Sequence, residues 1–249
     1  IAATGSVMSL IDGEGTSTTI PDGRGCFSHL FYRCSALTRA PELPATKLAE
    51  ACYCEMFLFC SNITEAPELP ATELTLHCYL NMFTSCTKLS KTPKLPATKL
   101  APSCYVNMFA YTALKEAPEL PVTKLESSCY QSMFRSVKTL TKAPKLPATE
   151  LASLCYQNMF EDCINLTEAP ELPASELKYQ CYYQMFNGCT KLNYIKVGLM
   201  SLDNTIYATG HWVAGVNSPG VFIFPCGSKY NEHGESAVPD NFTIVSSQI

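Results

Sequence analysis

Positive charge is what this chain is short of. Its 18 lysines and arginines stand against 22 aspartates and glutamates, a net charge of −4. There is no cationic excess to hold phosphates, so nucleic acid is not an expected partner. No apolar run approaches the roughly 18 to 20 residues a membrane span requires, so this segment is not expected to insert into a bilayer. Catalytic signatures are missing as well. There is no HExxH, no GxSxG and no CxxC pair, and neither DGEG nor DGRG completes a phosphate-binding glycine loop. The histidines, His29, His77, His211 and His233, share no motif. The expectation is a protein that is not an enzyme, with no catalytic residues, cofactor or metal. The first residue is Ile1 in place of methionine, which fits removal of an N-terminal targeting segment.

What the chain has is a hydrophobic content of 47% over 249 residues, enough for a sizeable core and against disorder. It also has 14 cysteines, and their meaning depends on where they fall. The stretch CYCEMFLFC, residues 52 to 60, looks like a metal or redox cluster when read alone. Read in blocks from Ala40 it becomes one rung of a repeat. APELPATKLAEACYCEMFLFCSNITE is followed by five variants starting at Ala66, Thr92, Ala117, Ala143 and Ala169. Five of the six blocks have 26 residues and the third has 25, with the gap near Tyr111. A partial repeat, CFSHLFYRCSALTR, occupies 26–39. Self-similarity at this period means stacked supersecondary units. The organisation read from it is an N-terminal cap at 1–25, a repeat array at 26–194 (partial repeat 26–39, six full repeats 40–194) and a C-terminal cap at 195–249.

Leu48, Cys52, Tyr53, Met56 and Phe57 are spaced by four and five, as are Leu177, Cys181, Tyr182, Met185 and Phe186. This spacing predicts one face of a short helix of two to three turns. The run Leu-Thr-x-Ala-Pro-x-Leu-Pro is too short and proline-rich for more than a three- or four-residue strand and an extended segment. Stacked, these units predict an α/β fold: a curved solenoid with a short parallel sheet on the concave side, short helices on the convex side and irregular terminal caps. Strands are expected around Val7 to Ile11, Val221 to Phe224 and Phe242 to Val245. Trp212, the single tryptophan, is expected to be buried in the C-terminal cap.

The repeat supplies an internal control for each tempting residue. Cys26, Cys52, Cys78, Cys104, Cys129, Cys155 and Cys181 form one column beside an aromatic column, and packed helices would hold its members 8 to 10 Å apart, beyond disulfide reach. A second column, Cys34, Cys60, Cys86, Cys163 and Cys189, reads Tyr111 and Val137 in two rungs; a position that accepts valine is used for packing, though its spacing leaves a disulfide open. Cys54 and Cys226 lie outside both columns, and Cys54 is the candidate reactive thiol, expected on an exposed helix surface.

On the proline side, the residue before Ala-Pro (Thr-Pro in the third block) reads Arg39, Glu65, Lys91, Glu116, Lys142, Glu168. The position after the first proline reads Glu42, Glu68, Lys94, Glu119, Lys145, Glu171. Signs alternate along the first series and largely along the second, which would place opposite charges on neighbouring rungs of the ladder. These twelve residues are the candidate concave-face binding surface. Self-neutralising stripes argue against a polyanion groove and leave a protein or a glycan as the expected partner.

The pattern LTxAPELPATxLxxxCYxxMFxxC resembles the BspA-like, or Treponema-type, leucine-rich repeat of surface proteins from gut and oral anaerobic bacteria. The resemblance covers 26–194; the array departs from it in repeat length and in MF where the family has AF. It implies a leucine-rich-repeat fold and a secreted or cell-surface location, with a lipid anchor on a segment outside this sequence as one means of attachment. It also implies adhesion to host or bacterial surface proteins. A monomer is expected. The alternatives are a structural spacer that displays other domains and, third, a glycan-binding module.

Overall fold

A computed structural model of the chain describes residues 1–202, 207–228 and 232–247; the parts of the predicted C-terminal cap at 203–206, 229–231 and 248–249 lie outside the described residues. The segment predicted to be helical, 49–60 and its equivalents, is a run of overlapping tight turns. Backbone groups alternate between two destinations. The amides of Tyr53, Glu55 and Phe57 donate to the carbonyls of Cys78, Leu80 and Met82 in the next repeat, at 2.8 to 3.0 Å. Between them, the amides of Cys54, Met56 and Leu58 donate three residues back, to Ala51, Tyr53 and Glu55, at 3.1 to 3.2 Å. Every backbone donor of 51–60 is thereby paired, half within the coil and half between coils.

The geometry rests on left-handed residues at every fourth position. Ala51, Glu55 and Phe59 have φ of 50 to 64°, as do Ser103, Asn107 and Tyr111 two coils on. In the turns 49–52, 53–56 and 57–60 these are the third residues, where a type II turn needs positive φ. Two residues then face inward and two outward, so Cys52 and Tyr53, Met56 and Phe57, and Cys60 are all buried. Spacing by four is common to this arrangement and to a helix, and that is why the periodicity alone suggested the wrong element. A left-handed residue at every fourth position cannot continue an α-helix.

The predicted α/β leucine-rich-repeat solenoid, with convex helices and a concave sheet, is therefore not what the chain forms. Among the described residues the α-helical segment is α1 (Ser9–Asp12), and β1 (Tyr194–Lys196), β2 (Gly220–Pro225) and β3 (Phe242–Ser247) make one parallel sheet in that order. The strand expected around Val7 to Ile11 is replaced by α1. Those at Val221 to Phe224 and Phe242 to Val245 are realised within β2 and β3, with Phe222 opposite Ile244. Within the array the proline segments touch their neighbours through isolated bridges, because each proline lacks an N–H for a longer ladder.

The core is built from columns. Phe27, Tyr53, Tyr79, Tyr105, Tyr130, Tyr156 and Tyr182 stack at centroid separations of 5.7 to 6.0 Å. Phe31, Phe57, Phe83, Phe109, Phe134, Phe160 and Phe186 do so at 5.4 to 6.0 Å. Both columns end on Trp212, whose ring is fully buried 6.3 Å from Tyr182 and from Phe186. Aromatic pairs of this kind contribute ~0.5 to 1.5 kcal/mol each beyond their burial.

Candidate recognition surface

All twelve predicted charged residues are exposed on the proline segments: Arg39, Glu65, Lys91, Glu116, Lys142 and Glu168, and Glu42, Glu68, Lys94, Glu119, Lys145 and Glu171. They do not form one continuous ladder. The proline segments are hydrogen-bonded two by two. Segment 64–74 pairs with 90–100 through Glu65–Lys91 and Glu73–Lys99, and 115–125 pairs with 141–151 through Glu116–Lys142 and Lys124–Glu150. Segment 167–177 pairs with β1 and the residues after it, and 38–48 pairs with the N-terminal residues through Ala2–Arg39, Ser6–Glu42 and Thr19–Lys47. Among the described residues no bridge joins 38–48 to 64–74, 90–100 to 115–125, or 141–151 to 167–177.

Charge pairs form where the intervals are closed. In the closed intervals Lys91 Nζ lies 3.6 Å from Glu65 and Lys196 Nζ 2.8 Å from Glu171. Two more pairs involve a position absent from the predicted surface, the residue after Thr in PATxL: Lys99 with Glu73 and Lys124 with Glu150, each at 3.4 Å. The signal for that position was a charge in each of the first five full repeats, Lys47, Glu73, Lys99, Lys124 and Glu150, with the sign changing at each step except from Lys99 to Lys124. These side chains are mostly exposed, so each pair contributes about 0 to 1 kcal/mol, and register is the larger consequence.

The open intervals carry the clefts. A groove of about 680 Å³ runs between 38–44 and 64–70, and a smaller one of about 270 Å³ is lined by 98–100 and 121–126. The larger has an apolar floor of Pro41, Leu43, Pro44 and Ala66 and a rim carrying Arg39, Glu42, Glu65 and Glu68. Four of the twelve predicted residues are thus brought together at one groove, and the other eight lie along the wall outside it.

The cysteines need three corrections. Cys54 is buried, 9% exposed, and burial pushes its thiol pKa up; it was expected on an exposed surface, and its position does face outward in the turn pattern, where Leu80, Val106, Gln131, Gln157 and Tyr183 are half-buried between closely stacked coils. Exposed thiols belong to Cys26, Cys34 and Cys226. Second, neighbouring turn segments are bonded backbone to backbone, so the 8 to 10 Å separation expected of packed helices does not apply. All fourteen cysteines are free. Third, the second column runs through Thr112, while Tyr111 is an exposed left-handed residue. The missing residue falls between Thr112 and Leu114. In this column Sγ of Cys60, Cys86, Cys163 and Cys189 donates to the carbonyl of Phe31, Phe57, Phe134 and Phe160 in the preceding coil, at 2.9 to 3.1 Å. Val137 cannot donate, and Phe109 O is served instead by Thr112 Oγ1 at 2.7 Å.

His29 pairs with the half-buried Glu55, and His211 with the exposed Glu235, at 2.8 Å each. His29 belongs to the first coil and His211 to the last. Comparison with family models, with curated proteins and with solved structures returns no match.

Proposed function

We propose that this chain is a non-enzymatic recognition module, displayed outside the cell, that contacts a surface protein through its proline wall. The observation that supports the reading best is the groove between 38–44 and 64–70. Apolar prolines there are rimmed by Arg39, Glu42, Glu65 and Glu68, in an interval where neighbouring segments leave their edges open. An apolar floor with convergent polar groups is what binding clefts share. A structural spacer is the second reading, and the unbroken aromatic columns favour it, since they would serve a rigid rod equally well.

Binding of the intact protein to immobilised matrix proteins and to whole cells separates the two. Recognition through the wall gives saturable binding that weakens with added salt and falls when Glu42 and Glu68 are neutralised. If no surface is bound saturably at any salt concentration, the spacer reading stands.

A further inference from the structure

The groove between 38–44 and 64–70 is an unfilled parallel ladder. In the adjacent closed interval, Ala66 N–H donates to Lys91 O at 3.1 Å and Ser90 N–H to Thr64 O at 3.0 Å. One interval earlier the equivalent groups are Ala40 N–H and Glu65 O, and Thr64 N–H and Thr38 O. None of these four makes a backbone hydrogen bond among the described residues. Glu65 shows why. In its bridge to Lys91 the bonds run through its neighbours Thr64 and Ala66, which leaves Glu65's own N–H and C=O turned toward the groove. Both lips of the groove therefore carry unpaired backbone groups, Ala40 N–H and Thr38 O on one and the N–H and C=O of Glu65 on the other, ahead of the prolines Pro41 and Pro67, and both are fixed from behind by a closed interval.

The geometry points to a binding site for an extended, basic polypeptide segment of another protein, seated in the groove as an added strand. The argument for a strand is the pair of open edges, since strand addition takes its affinity from main-chain bonds. A groove of about 680 Å³ has room for a short extended segment. Charge selects the side chains. The rim holds three carboxylates against one guanidinium; Glu65 is already paired with Lys91 at 3.6 Å, which leaves Glu42 and Glu68, without an ion-pair partner among the described residues, against Arg39. Alternation along a strand lets every second side chain, lysine or arginine, reach the rim while those between rest on Pro41, Leu43 and Pro44. This inference rests on the protein-recognition reading and names the chemistry of the partner at the same groove.

The test uses the whole chain and a blocked, fluorescein-labelled peptide of three Lys-Val repeats, followed by anisotropy. One-to-one saturable binding is expected, with an acidic Glu-Val counterpart failing to bind. The double variant Glu42→Gln, Glu68→Gln is expected to weaken binding about tenfold or more with an unchanged circular dichroism spectrum. The decisive probe is the same basic peptide N-methylated at alternate backbone amides, which keeps its charge and loses its ladder donors. It is expected to bind about tenfold more weakly. Equal binding of the methylated peptide would reduce the site to ion exchange and overturn the proposal, as would unaltered affinity of the double variant or no saturable binding. If the intact protein still binds cells while the peptide does not, the strand site falls and the recognition reading survives; loss of both sinks both.

Discussion

Tyr79 carries a hydroxyl that is buried without a hydrogen-bond partner, and so does Tyr53. A buried, unsatisfied polar group costs ~1 to 3 kcal/mol, and Phe27 already occupies the same column as the first ring of the stack. Tyr79→Phe is therefore expected to stabilise the chain by about 1 kcal/mol in chemical denaturation; a loss of stability would mean the hydroxyl has a partner. The thiols give a second test at this scale. Burial holds the pKa of Cys60 up at about 11 and that of Cys52 at about 12. A pKa raised by folding favours the native state at pH below the unfolded value of about 8.5 and loses that contribution as pH rises through the folded value. Stability should accordingly fall between about pH 9 and 12, and at pH 8 an alkylating reagent should modify Cys26, Cys34 and Cys226 first. Rapid modification of Cys54 would contradict its burial. The columns to which most cysteines belong were legible from the repeat. The burial of Cys54 was not, because it comes from close stacking of neighbouring coils over an outward position, which the repeat pattern does not report.

That choice of element can be tested at Ser132, a left-handed residue with φ 55° whose amide donates to Gln157 in the next coil at 2.8 Å. In a helix interior, alanine is better than glycine by roughly 1 kcal/mol. At positive φ the order inverts, because glycine has no Cβ to clash and a non-glycine residue pays ~1 to 2 kcal/mol there. Ser132→Gly should thus leave the chain more stable than Ser132→Ala, by about 1 kcal/mol in thermal or denaturant unfolding; the opposite order would restore the helix. One signal in the sequence did favour turns. The left-handed column that contains Glu55 reads Asn81, Asn107, Ser132, Asn158 and Gln184 thereafter, and asparagine is the non-glycine residue that tolerates this region best. Periodicity outweighed it because two-in, two-out burial and an amphipathic helix select the same apolar positions. The charge alternation was legible in the same partial way. It marked opposite neighbours at the closed intervals, Glu65–Lys91 and Glu116–Lys142, and failed at the open ones; which intervals close depends on backbone groups such as those of Glu65, and side-chain sign carries no information about them.

At the scale of the whole molecule the stack has a direction. Among the described residues every backbone–backbone bond between turn segments runs from an N–H of the earlier coil to a C=O of the later one, from Phe27 to Cys52 through Phe186 to Trp212. The first coil consequently turns the carbonyls of Cys26, Ser28, Leu30 and Tyr32 outward, and the last coil turns its donors outward. Unpaired N–H groups are the rarer and costlier of the two, and it is the donor end that is covered. Val213 N–H donates to Glu235 O at 3.1 Å, His211 N–H to Ser236 Oγ at 2.9 Å and Trp212 Nε1 to Ala237 O at 2.7 Å. Trp212 thus closes both aromatic columns and holds the covering segment, 232–238, in place. In a stack where each coil touches only its neighbours, damage at one end should propagate inward from that end. Trp212→Ala is expected to cost ~3 to 5 kcal/mol and to speed hydrogen exchange most at the amides of Gln184 and Gly188, less at Phe160 and not measurably at Phe31. Uniform acceleration along the chain would instead mean that the coils unfold as one block, and the directional account of the stack would fail.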